Sequence, residues 1–382
     1  MSDISLSKAV RSNLLSLQNT AAQMGKTQER LATGNKVNSA LDNPTNFFTA
    51  SGLNSRAGDM SQLLDGMANG IQTLQAADNG LKAITKTLES MQSTLRQARQ
   101  DKSFQTQSYE LDATYAAGTT PGQFDAASAI TFRGGATTED LTAGTPISID
   151  LSGLTLDGAV AAINTAAEAG GTLEGAVRAS NDNGKLRIEN LSTGDLEVAG
   201  TTSVTGTTIE GNSVRADLAD QYNELRDQLD KLADDASFNG VNLLRGDLLK
   251  ITFNETGTSE LEIQTKNGDS INSASLGVET AMVASDLDSD TNIDSILTDV
   301  KTAINTVRSQ SSAFGSSLSI VENRQDFSKN MINTLQTGAA NLTLADANEE
   351  AANMLALQTR QQLSSTALSM ASQADQAVLR LF

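Results

Sequence analysis

The chain has 382 residues with no Cys and no His, which removes disulfides, thiolate nucleophiles, imidazole acid–base groups and HExxH zinc sites. Aromatic residues are only 3%, with no Trp, so the cores must be aliphatic and Ala-rich, and three Pro leave room for long helices. A formal net charge of −19 argues against nucleic acid and anionic membrane as partners, and no apolar run is long enough to span a bilayer.

Residues 1 to about 33 read as a helix that stops at Thr33-Gly34-Asn35. Val10, Leu14, Leu17, Ala21, Met24 and Leu31 are spaced by fours and threes, with Gln28 in the remaining slot, and so share one heptad stripe. The stretch 36–44 is turn-rich and irregular. A second helical pattern runs from about 58 to 101, with Leu64, Met67, Ile71, Leu74, Leu81, Ile84, Leu88, Met91 and Leu95 on its seam. Arg96, Arg99 and Lys102 cluster at its end, where the helix dipole favours cations without any ligand.

Beyond residue 104 Gly, Thr, Ser and Asp dominate. Residues 129–132, 146–151 and 185–190 alternate as strands, with a turn at 181–184 pairing the last onto 173–179. One helix, from 156 to about 169, interrupts them. Helix returns at 213–235, with Val214, Leu218, Tyr222, Leu225, Leu229 and Leu232, and a hairpin forms around Gly257. From Ile293 to Leu335 a heptad runs almost unbroken, including Val300, Ile304, Val307, Phe314 and Leu318. Just before it, Asp286, Asp288, Asp290, Asn292 and Asp294 alternate like a calcium loop. Thr291 and Leu297 occupy the places that need Gly and Glu, so they read as a solvated loop capping the helix. The last helix begins after Leu344, capped by Asp346. Its stripe is Leu363, Ala367, Met370, Ala374, Ala377 and Leu381, running out to Phe382.

This order predicts a mainly α fold with a small α+β insert. The segments before and after the insert form a long antiparallel helical bundle carrying a β-hairpin, with both termini at one end. The expected division is 1–42 (terminal helix and connector), 43–105 (first part of the bundle), 106–205 (projecting α+β insert), 206–344 (second part of the bundle) and 345–382 (terminal helix). The first 41 residues hold Lys8, Arg11, Lys26, Arg30 and Lys36 against Asp3 and Glu29. The last 38 hold Arg360 and Arg380 against Asp346, Glu349, Glu350 and Asp375. The ends are thus nearly neutral and opposite in sign, while the middle is strongly acidic. Narrow apolar stripes on near-neutral ends need helical partners, either each other or other copies of the chain.

Three segments in the right order carry a family resemblance. Residues 31–42, Leu-Ala-Thr-Gly-Asn-Lys-Val-Asn-Ser-Ala-Leu-Asp, resemble the LSSGxRINSAxDD signature of bacterial flagellins. Ser237-Phe238-Asn239-Gly240-Val241-Asn242-Leu243-Leu244 resembles their TxFNGxxLL segment. Asn323-Arg324, then 346–382, resemble their C-terminal region. Ala162-Ile163-Asn164, within 148–200, resembles a small insert motif of flagellar hook and filament proteins.

The resemblance implies a structural subunit, not an enzyme, that polymerises into an extracellular filament for motility, without cofactor, metal or membrane insertion. It further implies unfolded export through the flagellar type III apparatus, a chaperone on the C-terminal helix, and contact with hook-associated and cap proteins. On this reading Val10, Leu14, Leu17, Met24, Leu31, Leu363, Met370, Leu381 and Phe382 form the assembly interface. Gly34, Asn38 and Asp42 form the connector, and Leu81 to Leu95 with Val300 to Leu318 form the bundle core. Glu89-Ser90-Met91 and Thr94 depart from the Gln-Arg pair and downstream Leu that the host flagellin receptor senses in many relatives, which implies weak activation.

Two rivals stay open at this level. The hook–filament junction protein shares both terminal regions, and Asp42-Asn43-Pro44 resembles its DDP. An insert with ligand-binding or carboxylate-only glycosidase activity is also conceivable, although no paired carboxylates stand in an aromatic setting. Ser and Thr of the insert read as ordinary β-surface and loop residues rather than glycan sites.

Overall fold

The computed structural model describes residues 8–110, 123–124, 128–134, 146–168, 173–200, 206–278 and 281–379. In chain order the elements are α1 (Lys8–Thr33), α2 (Pro44–Gln100), β1 (Gln105–Tyr109), β2 (Ala129–Gly134), β3 (Ile147–Asp150), α3 (Leu156–Ala167), β4 (Val177–Asp182), β5 (Lys185–Asn190), β6 (Leu196–Gly200), β7 (Thr207–Ile209), α4 (Ser213–Asp235), β8 (Leu249–Thr252), β9 (Glu260–Ile263), α5 (Asp290–Thr343) and α6 (Ala347–Leu379). Contacts divide the chain into two compact units. One groups Met1–Asn69, Ile251–Leu261 and Val321–Phe382, and the other groups Gly70–Lys250 and Glu262–Ile320.

In the first unit α1 and α6 lie side by side and antiparallel, since Arg30 near the end of α1 pairs with Glu350 near the start of α6. The early part of α2 packs on the late part of α5 through Ala57, Met60, Ile332 and Leu335. Helix α2 starts at Pro44, well before the expected residue 58. Asn43 Oδ1 accepts the Asn46 N–H at 3.1 Å, and Pro at the first helical position has no N–H to lose. Gly52, Gly58 and the surrounding Ser and Asn weaken the helical signal there. Burial of Ala50, Ala57 and Met60 overrides that weak propensity.

In the second unit the rest of α2 runs antiparallel to the first half of α5. Asp78 meets Ser311, Glu89 meets Arg308, and Arg99 meets Asp294. Helix α4 covers them, capped by the Asn212 side chain, which accepts the Arg215 N–H. The same unit holds two antiparallel sheets, ordered β1-β5-β4 and β3-β2-β6-β7. Their shared core is Ile130, Phe132, Ile163, Leu173, Leu186, Ile188, Leu196 and Val198.

The strand paired with β5 is Val177–Asp182, shifted from the expected 173–179. Leu173 and Gly175 instead cap α3, donating to Ala166 O and Ala167 O. Asn183 and Gly184, both with positive φ, close the hairpin as a two-residue turn. Asn164 of α3 grips β4 with both ends of its amide. Nδ2 donates to Ala179 O at 2.9 Å, and Oδ1 accepts the Ala179 N–H at 2.8 Å.

Candidate assembly surface

Where the terminal helices face each other, apolar side chains alternate with small or polar ones. On α1 the positions turned from solvent are Val10, Leu17, Thr20, Met24 and Thr27. The predicted stripe put Ala21 and Gln28 in the slots that Thr20 and Thr27 take. Thr20 is tolerated there because its hydroxyl donates to Ser16 O at 2.8 Å, leaving its methyl to pack. On α6 the matching positions are Glu350, Met354, Leu357, Ser364 and Leu368.

Other large apolar residues stay outside. Leu363 is 67% exposed, Leu355 67% and Met370 61%, while Leu14, Leu15 and Leu31 are exposed on α1. At 3.6 residues per turn, Leu355, Leu363 and Met370 span an arc of about 80°, roughly opposite the stripe facing α1. Helix α6 therefore has two apolar faces, and α1 covers one of them. Of the predicted interface residues, Val10 is buried, Leu17 and Met24 are half-buried, and Leu14, Leu31, Leu363 and Met370 are exposed. Leu381 and Phe382 lie outside the described residues.

The connector is held by backbone pairing at the α5–α6 junction. Gly34, at φ +70°, lets the chain leave α1 in the left-handed region. The Lys36 and Val37 N–H groups donate to Thr343 O, and the Ala345 N–H donates to Gly34 O. Asp42 Oδ2 accepts the Asn38 and Ser39 N–H groups at 3.1 Å. Those amides, Asn38's first, hold its carboxyl below the usual carboxylate range. Leu41 beside it is 96% exposed.

Leu81, Ile84, Leu88, Met91 and Leu95 are fully buried in the second unit, as are Val300 and Val307. Ile304 and Phe314 are nearly so, and Leu318 is half-buried. Beside them stands a buried polar centre that no sequence pattern marks. The Arg215 guanidinium, 1% exposed, donates to Leu287 O (2.6 Å), Asp288 O (3.1 Å), Asp101 O (3.2 Å) and Asp290 Oδ1 (3.1 Å). It also stacks on the Phe104 ring, 5.2 Å from the centroid. Asp288 Oδ1 accepts the Thr193 N–H at 2.7 Å, and burial pushes its carboxyl up to about 7.

The acidic row is therefore solvated only in part, with the Asp288 carboxyl buried and the others engaged as caps or ion pairs. Asp286 accepts the Val283 N–H, while Asp290 and Asp294 hold Arg99 at 2.9 and 2.8 Å, and Lys102 also reaches Asp290. Among the described residues no group of acidic side chains is arranged to hold a metal ion, and no helix is long and apolar enough to cross a membrane.

A bundle whose two terminal helices pair antiparallel and carry apolar side chains outward suits a structural protein that packs against copies of itself. Family models support this and make it specific. The bacterial flagellin N-terminal helical region matches residues 4–115, and the bacterial flagellin C-terminal helical region matches residues 297–382. The chain belongs to the bacterial flagellins. It is 29% identical over 199 residues to flagellin FljK of Caulobacter vibrioides, covering 52% of this chain and 67% of that one. It is 36% identical over 91 residues to flagellin A of Rhizobium meliloti, covering 24% of this chain and 23% of that one. It is 28% identical over 155 residues to a flagellin of Brucella melitensis, covering 38% and 55%.

Proposed function

We propose that this protein polymerises through its terminal helices into the flagellar filament that drives swimming, outside the cell and without catalytic activity. The observation that carries the reading is the outward stripe of Leu355, Leu363 and Met370 on a helix whose other face is already covered. A long apolar stripe in water is costly, and a second copy of the chain is the partner a filament supplies. Each such residue buried contributes roughly 1.5–3 kcal/mol.

The terminal helices make little burial in one copy, and isolated helices of this kind are marginal. They order on assembly. Export in unfolded form through the type III apparatus, a chaperone on α6, and hook-associated and cap proteins at the filament ends complete the proposal. The working division is 1–42 and 345–382 for assembly, 43–105 and 206–344 for the bundle, and 106–205 for a dispensable outer face.

Negative-stain microscopy of concentrated full-length protein tests this. Long filaments are expected, abolished by removing residues 345–382 and kept on removing 106–205. Persistent monomers of the intact chain would overturn the reading.

A further inference from the structure

The antiparallel pair of α1 and α6 leaves a cleft of about 420 Å³, lined by Lys26 and Arg30 on one wall and Glu350 and Arg360 on the other. Its charges are unequally satisfied. Arg30 Nη1 donates to Glu350 Oε1 at 3.1 Å, and Glu350 is buried, so this pair is complete. Among the described residues Lys26 reaches only Asp42, at 3.8 Å, with its side chain 66% exposed. Arg360 is exposed and has no carboxylate within ion-pair distance among the described residues. Two cations thus line one opening with a single distant counter-ion.

The cleft is continuous with the outward apolar surface. Arg360 stands one turn before Leu363, and Lys26 lies about three turns beyond Leu15 on the same side of α1, with Leu15 60% exposed. A copy that covers those leucines therefore also covers the cleft. Covering it without a counter-ion would bury unpaired charge, which is strongly unfavourable. Among the described side chains of α1 and α6, Glu29 and Glu349 are the carboxylates that bind no cation.

We propose that, in the filament, the Lys26–Arg360 cleft of one copy receives Glu29 or Glu349 of a second copy. The proposal rests on the filament reading above and adds the charged contact that sets the register of the terminal helices. Donor cleft and acceptor carboxylate are different groups. The contact is heterologous, and each copy keeps a free cleft or a free carboxylate for the next.

Filaments grown from mixed unlabelled and ¹⁵N-labelled full-length protein test it. A carbodiimide condenses the Lys26 amine with a touching carboxylate, taking up the water lost as the amide forms. Mass spectrometry should find Lys26 joined to Glu29 or Glu349 across isotopes. Lys26 joined only within its own chain, to Asp42 or to Glu29 one turn away, or not joined, would overturn the proposal. Independently, Arg360→Glu should raise the critical concentration about tenfold or more, with unchanged helix content in the soluble form. An unchanged critical concentration would equally overturn it. Wild-type protein that forms no filaments would sink the filament reading and this proposal together, whereas filaments without the link sink this proposal alone.

Discussion

The guanidinium of Arg215 donates to the backbone carbonyl of Leu287 at 2.6 Å, in a place where neither group meets water. The same side chain also holds the Asp288 and Asp101 carbonyls and the Asp290 carboxylate, so one residue ties α4 to the end of α2 and the start of α5. Arg215→Met fills much of the buried volume but loses the guanidinium over Phe104 and strands three carbonyls. Its expected cost is about 3 kcal/mol. Denaturant titration of the full chain checks this. A loss under about 1 kcal/mol would mean that water replaces the guanidinium freely.

Asp288, next to that centre, predicts a pH dependence of definite sign. Burial raises its folded carboxyl to about 7, against the ordinary 3.8, opposed by the Thr193 amide and the Arg215 charge. Between about pH 4 and 7 the unfolded chain has released this proton while the folded chain keeps it. This group's contribution to stability therefore falls as pH rises through that window, and is flat above it. Asp288→Asn can still accept from Thr193 and has no proton to lose. Its stability relative to the natural chain should increase from pH 5 to pH 8, measured by denaturation midpoints at both values. Parallel curves would refute the assignment.

The fold was legible where local chemistry and packing agree. Gly34 stops α1, Asp346 caps α6 by accepting the Asn348 and Glu349 N–H groups, and the heptads of α2 and α5 bury the residues their spacing selects. Legibility failed where a tertiary partner decides. Thr20 and Thr27 displace Ala21 and Gln28 from the α1 stripe because α6 meets α1 slightly rotated from the most apolar line. Strand β1, Gln-Thr-Gln-Ser-Tyr, shows no alternation because only Tyr109 faces the core. Arg215 reads as one more charge on a helix, since its partners come from distant segments. The acidic row looked fully solvated because nothing local announces that Arg99 lies opposite it.

Asn164 mimics a strand residue by exchanging both hydrogen bonds with Ala179. Asn164→Leu leaves a donor and an acceptor of β4 unpaired beside α3. The expected cost is about 2 kcal/mol, with faster protease cleavage within the insert. Polymerisation should be unchanged. Asn164→Asp should recover part of the loss, since its carboxylate can still accept from the Ala179 N–H. Equal resistance of all three proteins to protease would show that the pairing does not hold the insert.

The glutamate at position 89 is engaged, which bears on how a host receptor meets this surface. Arg308 Nη2 donates to Glu89 Oε1 at 3.1 Å, and Thr94 is turned inward, its hydroxyl donating to Ser90 O at 3.2 Å. The surface therefore offers a paired carboxylate where many flagellins offer Gln-Arg. Weak activation in a receptor-reporter assay is the expected outcome for monomeric protein. Glu89→Gln with Ser90→Arg should raise it, because the pair is restored and Arg308 is released. Full-strength activation by the natural chain would overturn this account.

The outward face of α6 can be tested without disturbing its inward one. Leu363→Ser and Met370→Ser lie on the exposed stripe, away from Met354 and Leu357, so the α1–α6 pairing should keep its geometry. Each change removes burial worth roughly 1.5–3 kcal/mol on assembly. Each should raise the critical concentration for polymerisation more than tenfold. Leu357→Ser, on the inward face, should also weaken assembly, but through lost helix order that circular dichroism of the filaments would report. If the outward substitutions leave the critical concentration unchanged, those side chains stay in water in the filament and the assembly surface lies elsewhere on α6.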